Sequence, residues 1–456
     1  MLVDGAPRVA CVTPVRRVAG REVVSAAGLD PEVRDRWADA FVATGASQCG
    51  FCTPGIVCRL VGGGDKGDVD RGLLAHLCRC TGWQTIREAA GLARGGAPVD
   101  ALAGRDPEAA ARRAAIEGGV PQDVGRHVTL GGGGFSVDFV PARALVAVPS
   151  DAGWVVGESL ADARRRAGKV QGRRTTLASV PPLEVPDGDW DVTLRTSWVE
   201  PAYLEPDLSW CEPGGEPAGV VANGGAFGGK AASPLGAVAR RLADEHGRTV
   251  AAVWSREDVT RYGPKRPPMA AGVRADGSGV MRVVRTPGIA SAVAAVAPGI
   301  EVLEVDVPGP PTSVAVRGAG WAEATVLLAG ARGEVGVVEA PGGGRASAMI
   351  GTDGAIAVTI AAGDPLDEVV LRSYAIGATH MALSWVTSES LTVDDQGEVH
   401  DLTIRSYGIL RAVDMPPVEV TIDPTPGPPV NGSDAVFAAV AAAAWLDRGC
   451  PPAWPC

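Results

Sequence analysis

The sequence predicts a multidomain α+β protein, with a small helical domain near its start and a larger mixed α+β domain after residue 190. Three observations carry this. Four cysteines, Cys49, Cys52, Cys78 and Cys80, fall as two tight pairs, each just ahead of a helix start. From Asp191 onward, short alternating apolar runs are interleaved with helix-length segments. Glycine and proline are abundant, 61 and 36 of 456 residues, and aromatics make up only 5%, so turns and short elements dominate.

A chain of 456 residues accommodates about two to four domains, and 46% apolar residues can fill sizeable cores. The net charge is −11 with no Lys/Arg-rich run, which argues against nucleic acid or an anionic membrane as partner. The longest apolar run, Ala435 to Leu446, has 12 residues, too few to span a bilayer. The start, Met1 to Gly5, lacks the basic-then-apolar pattern of a signal peptide. A cytoplasmic location is therefore expected. In a reducing compartment, nine cysteines favour metal ligation over disulfides, and Cys450 and Cys456 are expected as free thiols.

Taken in order, residues 1–24 read as short strands. Val9, Cys11 and Thr13 share a face if extended, and Arg21 to Val24 forms another strand after Gly20. Residues 25–93 read as the helical domain. Asp30-Pro31-Glu32 starts a helix that offers Trp37, Phe41 and Val42 for burial and ends at Gly45. Thr53 is a cap residue, followed by Pro54 at the first helical position. Asp68 caps a helix carrying Leu73, Leu74 and Leu77, and Ile86 to Leu92 closes the set. Cys58 is expected as a core thiol.

Residues 94–190 read as a linker region with one helix, from Asp106-Pro107 through Ile116. Gly131 to Gly134 lacks the strand-then-helix frame of a dinucleotide site. Pro181-Pro182 and Pro186 mark a boundary. In residues 191–456, half-buried strands are expected at Leu303/Val305/Val307, Ile356/Val358/Ile360 and Val418/Val420/Ile422. A hairpin is expected between Val393 and Val399, and helices at Pro365 to Trp385 and, capped by Asp434, at Ala435 to Leu446.

Two stretches carry chemistry. Four thiolates in two pairs, with 25 residues between Cys52 and Cys78, can hold zinc or a [2Fe–2S] cluster, or be core thiols. A Cys-x-Cys second pair is uncommon in zinc ribbons. Helix starts beside the thiols supply unpaired amides and a positive dipole end. The second stretch is Asn223-Gly224-Gly225-Ala226-Phe227-Gly228-Gly229-Lys230. Its glycines let backbone amides approach an anion. From Gly224 to Lys230 it has the spacing of a phosphate-binding loop, but Ala231 stands where the magnesium-binding Ser or Thr belongs. A plain glycine turn is the other alternative.

Gln48-Cys49-Gly50-Phe51-Cys52-Thr53-Pro54-Gly55 and Leu77-Cys78-Arg79-Cys80-Thr81-Gly82-Trp83 resemble the second [2Fe–2S] site of the molybdenum hydroxylases, the xanthine dehydrogenase and aldehyde oxidase family. The resemblance implies one [2Fe–2S] cluster on Cys49, Cys52, Cys78 and Cys80, with Gln48 touching a molybdopterin. Residues 1–24 resemble the end of a plant-type ferredoxin (β-grasp) domain. Cys11 falls where that domain supplies its last ligand, and the other three would precede Met1. A truncated remnant without its own cluster is expected, with Cys11 a buried strand cysteine. Residues 191–456 resemble a reduced molybdopterin-binding domain. In it Gly225, Phe227, Gly228 and Gly229, and Arg317 of Arg317-Gly318-Ala319-Gly320-Trp321, would be cofactor contacts. Glu200-Pro201-Ala202-Tyr203-Leu204-Glu205-Pro206 is similar to the segment ahead of the family's substrate pocket.

In that family a late glutamate is the general base. Register on Gly432 and Phe437 places Ser433 at its position, with Asp434 adjacent, so Asp434 is the candidate base and a helix cap its alternative reading. The resemblance implies hydroxylation of an aldehyde or N-heterocycle, a flavoprotein or other electron-acceptor partner, and a homodimer. The alternative is a non-catalytic iron–sulfur electron-transfer or assembly partner derived from the family.

Overall fold

The computed structural model describes all residues except 65–66, 96–103, 169–171 and 220–224. The chain divides into two interleaved units. One comprises Met1–Gly133, Val335–Leu383 and Leu410–Asp447, and the other Gly134–Glu334, Ser384–Ile409 and Arg448–Cys456. Residues distant in sequence pair into common sheets within these units, as Leu145–Ser150 does with Val250–Val253.

The first unit opens with a small antiparallel sheet in which Leu2–Val3 lies between Ala6–Pro7 and Val23–Val24. Cys11 is not a buried strand residue. It sits exposed in the 3₁₀ turn Ala10–Val12, where the Thr13 hydroxyl donates to the Val9 carbonyl at 2.7 Å and closes the chain locally. Helix Pro31–Thr44 then follows its sequence signals. Asp30 accepts from the amides of Glu32 and Val33, Gly45 ends the helix in the left-handed conformation, and Trp37, Phe41 and Val42 are buried. Helix Thr53–Gly62 begins one residue earlier than expected, with Cys52 at its cap and Pro54 in its first turn. Asp68 caps Val69–Leu73, and Gln84–Arg94 completes the helical set. Leu74 lies outside the short helix and is exposed.

The same unit holds a four-stranded sheet, in order Val338–Glu339, Arg345–Ile350, Ile356–Ala361 and Val418–Ile422. Alternation along Ile356–Ala361 buries Ile356, Val358 and Ile360, as the pattern predicted. The last helix, Ser433–Asp447, is apolar around its whole circumference and correspondingly buried on all sides. Asp434 is not its cap. The Asn431 carboxamide oxygen accepts from the Asp434 amide at 3.0 Å, so Asn431 caps and Asp434 lies inside the first turn.

The second unit contains two sheets. One runs Ile300–Val305, Gly279–Val284, Met269–Val273, Val192–Thr196 and Ala453–Trp454. Ile300 is buried at its edge strand, whereas Leu303 is exposed. The other runs Gly153–Gly157, Leu145–Ser150, Val250–Val253 and Leu208–Cys211, with helix Leu235–His246 contributing Leu235, Ala239 and Leu242 to the same core. Two of these strands come from the stretch expected as linker. Pro149 within Leu145–Ser150 disguises that strand, yet it pairs opposite Trp154. Among the described residues no helix is long and apolar enough to cross a membrane.

Candidate metal centre

In the first unit two turns bring four sulfurs together. Cys80 Sγ lies 3.5 Å from Cys49 Sγ, Cys78 Sγ is hydrogen-bonded with Cys52 and Cys80, and the Thr81 hydroxyl stands 3.2 Å from Cys78 Sγ. Cys49, Cys78 and Cys80 are buried and Cys52 is half-buried. Among the described residues no group of three or more His, Cys, Asp or Glu is gathered closely enough to enclose a single metal ion. Cys49 stands with Cys80 and Cys52 with Cys78, each of these pairs drawing one member from each motif, and Cys78 also bonds Cys80. That suits a two-iron cluster, in which each iron takes two thiolates, better than a mononuclear zinc.

The electrostatics agree. Hydrogen bonds with Cys52 and Cys80 hold the Cys78 thiol well below its ordinary range, whereas the bond to Cys78 and burial push Cys52 well up. Cys80 is likewise raised well above its ordinary value, first by Cys49, then by Cys78 and by burial. The protein alone thus favours the thiolate at Cys78 and the thiol at Cys52 and Cys80. Ionising all four needs the positive charge of bound iron, whose arrival displaces protons.

The turn carrying the second cysteine pair is clamped against helix Glu368–Thr387 by two close backbone approaches. A Cβ on Gly377 would stand 1.8 Å from the Cys80 carbonyl oxygen, and one on Gly82 would stand 2.6 Å from that of Ile376. Trp83 follows at φ +70°, costly for a bulky residue, and is held there by burial and by its indole N–H donating to the Leu410 carbonyl at 3.2 Å. Gln48, one residue before the first cysteine, donates its Nε2–H to Ser373 Oγ at 2.9 Å. Its Oε1 is buried and, among the described residues, without a partner. It borders a cavity of about 20 Å³, with Ser373, Arg105 and Asp123 also in the wall.

In the second unit, Asn223 and Gly224 lie outside the described residues. From Gly225 onward the loop turns sharply, with positive φ at Gly225, Phe227 and Gly228. A Cβ on Gly228 would lie 1.6 Å from the Ala315 carbonyl oxygen, so only glycine fits. The structure brings Arg317 to this loop. Its amide donates to the Phe227 carbonyl at 2.9 Å, and its guanidinium lies 4.3 Å from the Phe227 ring centre. Lys230 ends the loop in a buried ion pair with Glu205 at 2.7 Å, and the other Glu205 oxygen accepts from the Ser136 amide. Arg266 pairs with Glu323 at 2.7 Å, stacks 3.8 Å from Trp385 and donates to the Arg317 carbonyl. Arg266 and Glu323 have no sequence motif of their own. Glu205 could have been found from its place in the Glu200 to Pro206 segment.

Ser433 and Asp434 belong to the first unit, at the start of the last helix. The backbone amides of Gly432 and Ser433 donate to the buried Glu117 carboxylate at 3.2 and 2.9 Å.

Four thiols, three of them buried, thus gather on two turns of one small helical segment. Residues 25–91 match the family described as the [2Fe-2S] binding domain. The chain is 36% identical over 97 residues to a probable xanthine dehydrogenase component of Bacillus subtilis, covering 20% of this chain and 56% of that protein. It is 35% identical over 95 residues to the nicotine 6-hydroxylase small subunit of Paenarthrobacter nicotinovorans, covering 20% and 58%. The matched stretch therefore spans just over half the length of these relatives. In fold, the chain is similar to the aldehyde oxidoreductase of Desulfovibrio desulfuricans, with a TM-score of 0.67 at 13% identity, covering 96% of this chain and 91% of that one. The corresponding enzyme from Desulfovibrio gigas gives a TM-score of 0.64 at 13% identity, covering 97% and 91%. Residues 25–91 thus carry the [2Fe-2S] binding domain, and the chain is similar there to parts of xanthine dehydrogenases and related hydroxylases and, in fold, to aldehyde oxidoreductases.

Proposed function

We propose that the chain is an oxidoreductase that hydroxylates an aldehyde or N-heterocycle with oxygen from water and passes the electrons through its [2Fe–2S] cluster to a flavoprotein or another acceptor. The observation that carries this reading is the loop Gly225 to Lys230, with Gly228 pressed on the Ala315 carbonyl and Arg317 stacked on Phe227. Such a loop has no evident task in a protein that only carries electrons.

Gly225, Phe227, Gly228, Gly229 and Arg317 in the second unit fit a molybdopterin, because positive-φ residues turn amides outward and a guanidinium complements anionic oxygens. Gln48 in the first unit fits a pterin N–H, because its Oε1 is a buried acceptor lacking a donor. When bound, the molybdenum group would supply two-electron oxidation of a carbon centre. The chain's own residues must take up the proton that water loses as it attacks, and Asp434 is the proposed base. Substrate C–H and water would become C–OH, two protons and two electrons, and Cys49, Cys52, Cys78 and Cys80 would hold the cluster that supplies one-electron transfer.

A second reading, an electron carrier or assembly partner without its own catalysis, is favoured by Ser433 at the expected glutamate position. Mass spectrometric iron and molybdenum content of the purified chain separates the two. Two irons with one molybdenum per chain support the hydroxylase. Two irons without molybdenum remove it.

A further inference from the structure

Beneath the glycine-rich loop lies a group of buried polar atoms that the cofactor reading leaves without a task. Tyr203, wholly buried, supports the loop: a Cβ on Gly229 would stand 3.0 Å from its ring, and Lys230 Nζ lies 5.3 Å from the ring centre. Asp207, four residues on, is also wholly buried. Neither oxygen of its carboxyl has a hydrogen-bond partner among the described residues, nor do Tyr203 OH, Ser233 Oγ and Arg256 Nη1. The Tyr203 and Ser233 hydroxyls face the carboxyl closely enough to lower its titration, but neither reaches hydrogen-bonding geometry.

Lys230 and Arg256 act on Asp207 in the same direction, and burial outweighs all four and raises it. Lys265 also feels the Asp207 charge, but is tied to Glu200 at 2.8 Å, as Lys230 is to Glu205. Leaving a carboxyl, two hydroxyls and a guanidinium N–H dry and unpaired is costly, because each loses its bonds to water without gaining others. Buried polar atoms of complementary character that lack direct partners are the usual setting of resident water.

Arg256 connects this group to solvent. Its guanidinium lies 5.7 Å from the Tyr203 ring centre and donates through Nη2 to the Leu204 carbonyl at 2.8 Å. The same side chain lines a cavity of about 380 Å³, whose walls include Ser150, Ser255 and Tyr262 together with exposed Asp151 and Arg164. We infer that Asp207, Tyr203, Ser233 and Arg256 enclose resident water continuous with this cavity, a hydrated passage that carries protons from beneath the glycine-rich loop to solvent. Its task rests on the proposed hydroxylase reading, in which each turnover frees two protons while the electrons leave separately through the cluster. A proton reaching Asp207 Oδ1 or Oδ2 passes to water beside Arg256 and then to solvent buffer, and the carboxylate is regenerated. No oxidant or reductant is needed for that step.

The test is a pH jump followed by infrared spectroscopy on the chain as purified, with metal content measured on the same sample. The Asp207 carboxyl band is the one lost in Asp207→Asn. It is expected to follow the jump much faster than the chain unfolds under the same conditions. A band that changes only at the unfolding rate overturns the passage. A crystal structure of the unsubstituted chain is an independent check that needs no variant: ordered water on the four groups is expected, and a dry gap overturns the inference. A sealed Asp207 in a molybdenum-containing chain defeats the passage and leaves the hydroxylase reading intact. Rapid titration in a chain without molybdenum supports the passage and removes the hydroxylase.

Discussion

The backbone amide of Ser433 donates to the carboxylate of Glu117 at 2.9 Å, across more than 300 residues of sequence. Glu117 also takes the Gly432 amide and a guanidinium hydrogen of Arg113, and both charged side chains are completely buried. Arg113 in turn donates to the carbonyls of Ala362, Pro365 and Val430. The first amides of the last helix, which elsewhere would attract a bound anion, are thus occupied by the chain's own carboxylate. Helix Pro107–Gly118 serves to fix the start of helix Ser433–Asp447.

Glu117→Gln removes the negative charge and leaves Arg113 buried beside a neutral amide. Breaking a buried pair in this way costs about 3–5 kcal/mol. The expected result is a lower urea midpoint for the chain at unchanged slope. A midpoint within error of the parent would mean that the carbonyls around Arg113 already satisfy it, and that Glu117 matters little.

Much of the helical part was legible because its signals are local. Asp30, Gly45, Asp68 and Asp106 cap the helices they were expected to cap. What could not be read depends on partners far along the chain. Nothing near Glu117 announces two amides some 315 residues away. The strand Leu145–Ser150 pairs with Val250–Val253, about a hundred residues later, and carries a proline that argues locally against it. At Val9, Cys11 and Thr13 the alternation was misleading, because a hydroxyl-to-carbonyl bond folded the stretch into a 3₁₀ turn.

Gly377→Ala tests the clamp on the cluster turn. The new methyl group would meet the Cys80 carbonyl at 1.8 Å, so either the helix or the turn must move. Overpacking of this kind costs about 1–3 kcal/mol, and backbone on both sides leaves little room to relax. The variant should bind less iron and melt at lower temperature than the parent. Full iron content with an unchanged visible spectrum would show that the turn is free to shift.

Cys49→Ser removes one thiolate of the Cys49–Cys80 pair. The visible iron absorbance is expected to bleach and residues 25–93 to lose stability, because metal ligation contributes folding free energy to so small a unit. Cys58→Ser is the matched control: that thiol is buried in helix Thr53–Gly62, six residues beyond Cys52, and should leave iron content unaltered. Retained iron in Cys49→Ser would exclude it as a ligand.

Stability should also depend on pH through two buried carboxyls. Burial is the largest influence on Asp207 and on Asp258, and it raises both above the ordinary aspartate value of 3.8. In the pH range between the unfolded and folded values, the folded chain therefore holds protons that the unfolded chain has lost. The stability these groups contribute is fully present below the unfolded value and falls away as pH rises through the folded ones. Most other shifted aspartates, such as Asp306 beside Arg285, are exposed and lowered, and salt screens their opposing contribution. Asp207→Asn keeps the shape of the neutral acid and cannot ionise. In high salt, the parent should lose stability as pH rises above the ordinary aspartate value, and the variant should lose less, the difference growing with pH. Urea midpoints taken across that rise decide it. Parallel curves for parent and variant would show that Asp207 ionises as readily inside the protein as outside it, with water or Arg256 supplying all that burial removes.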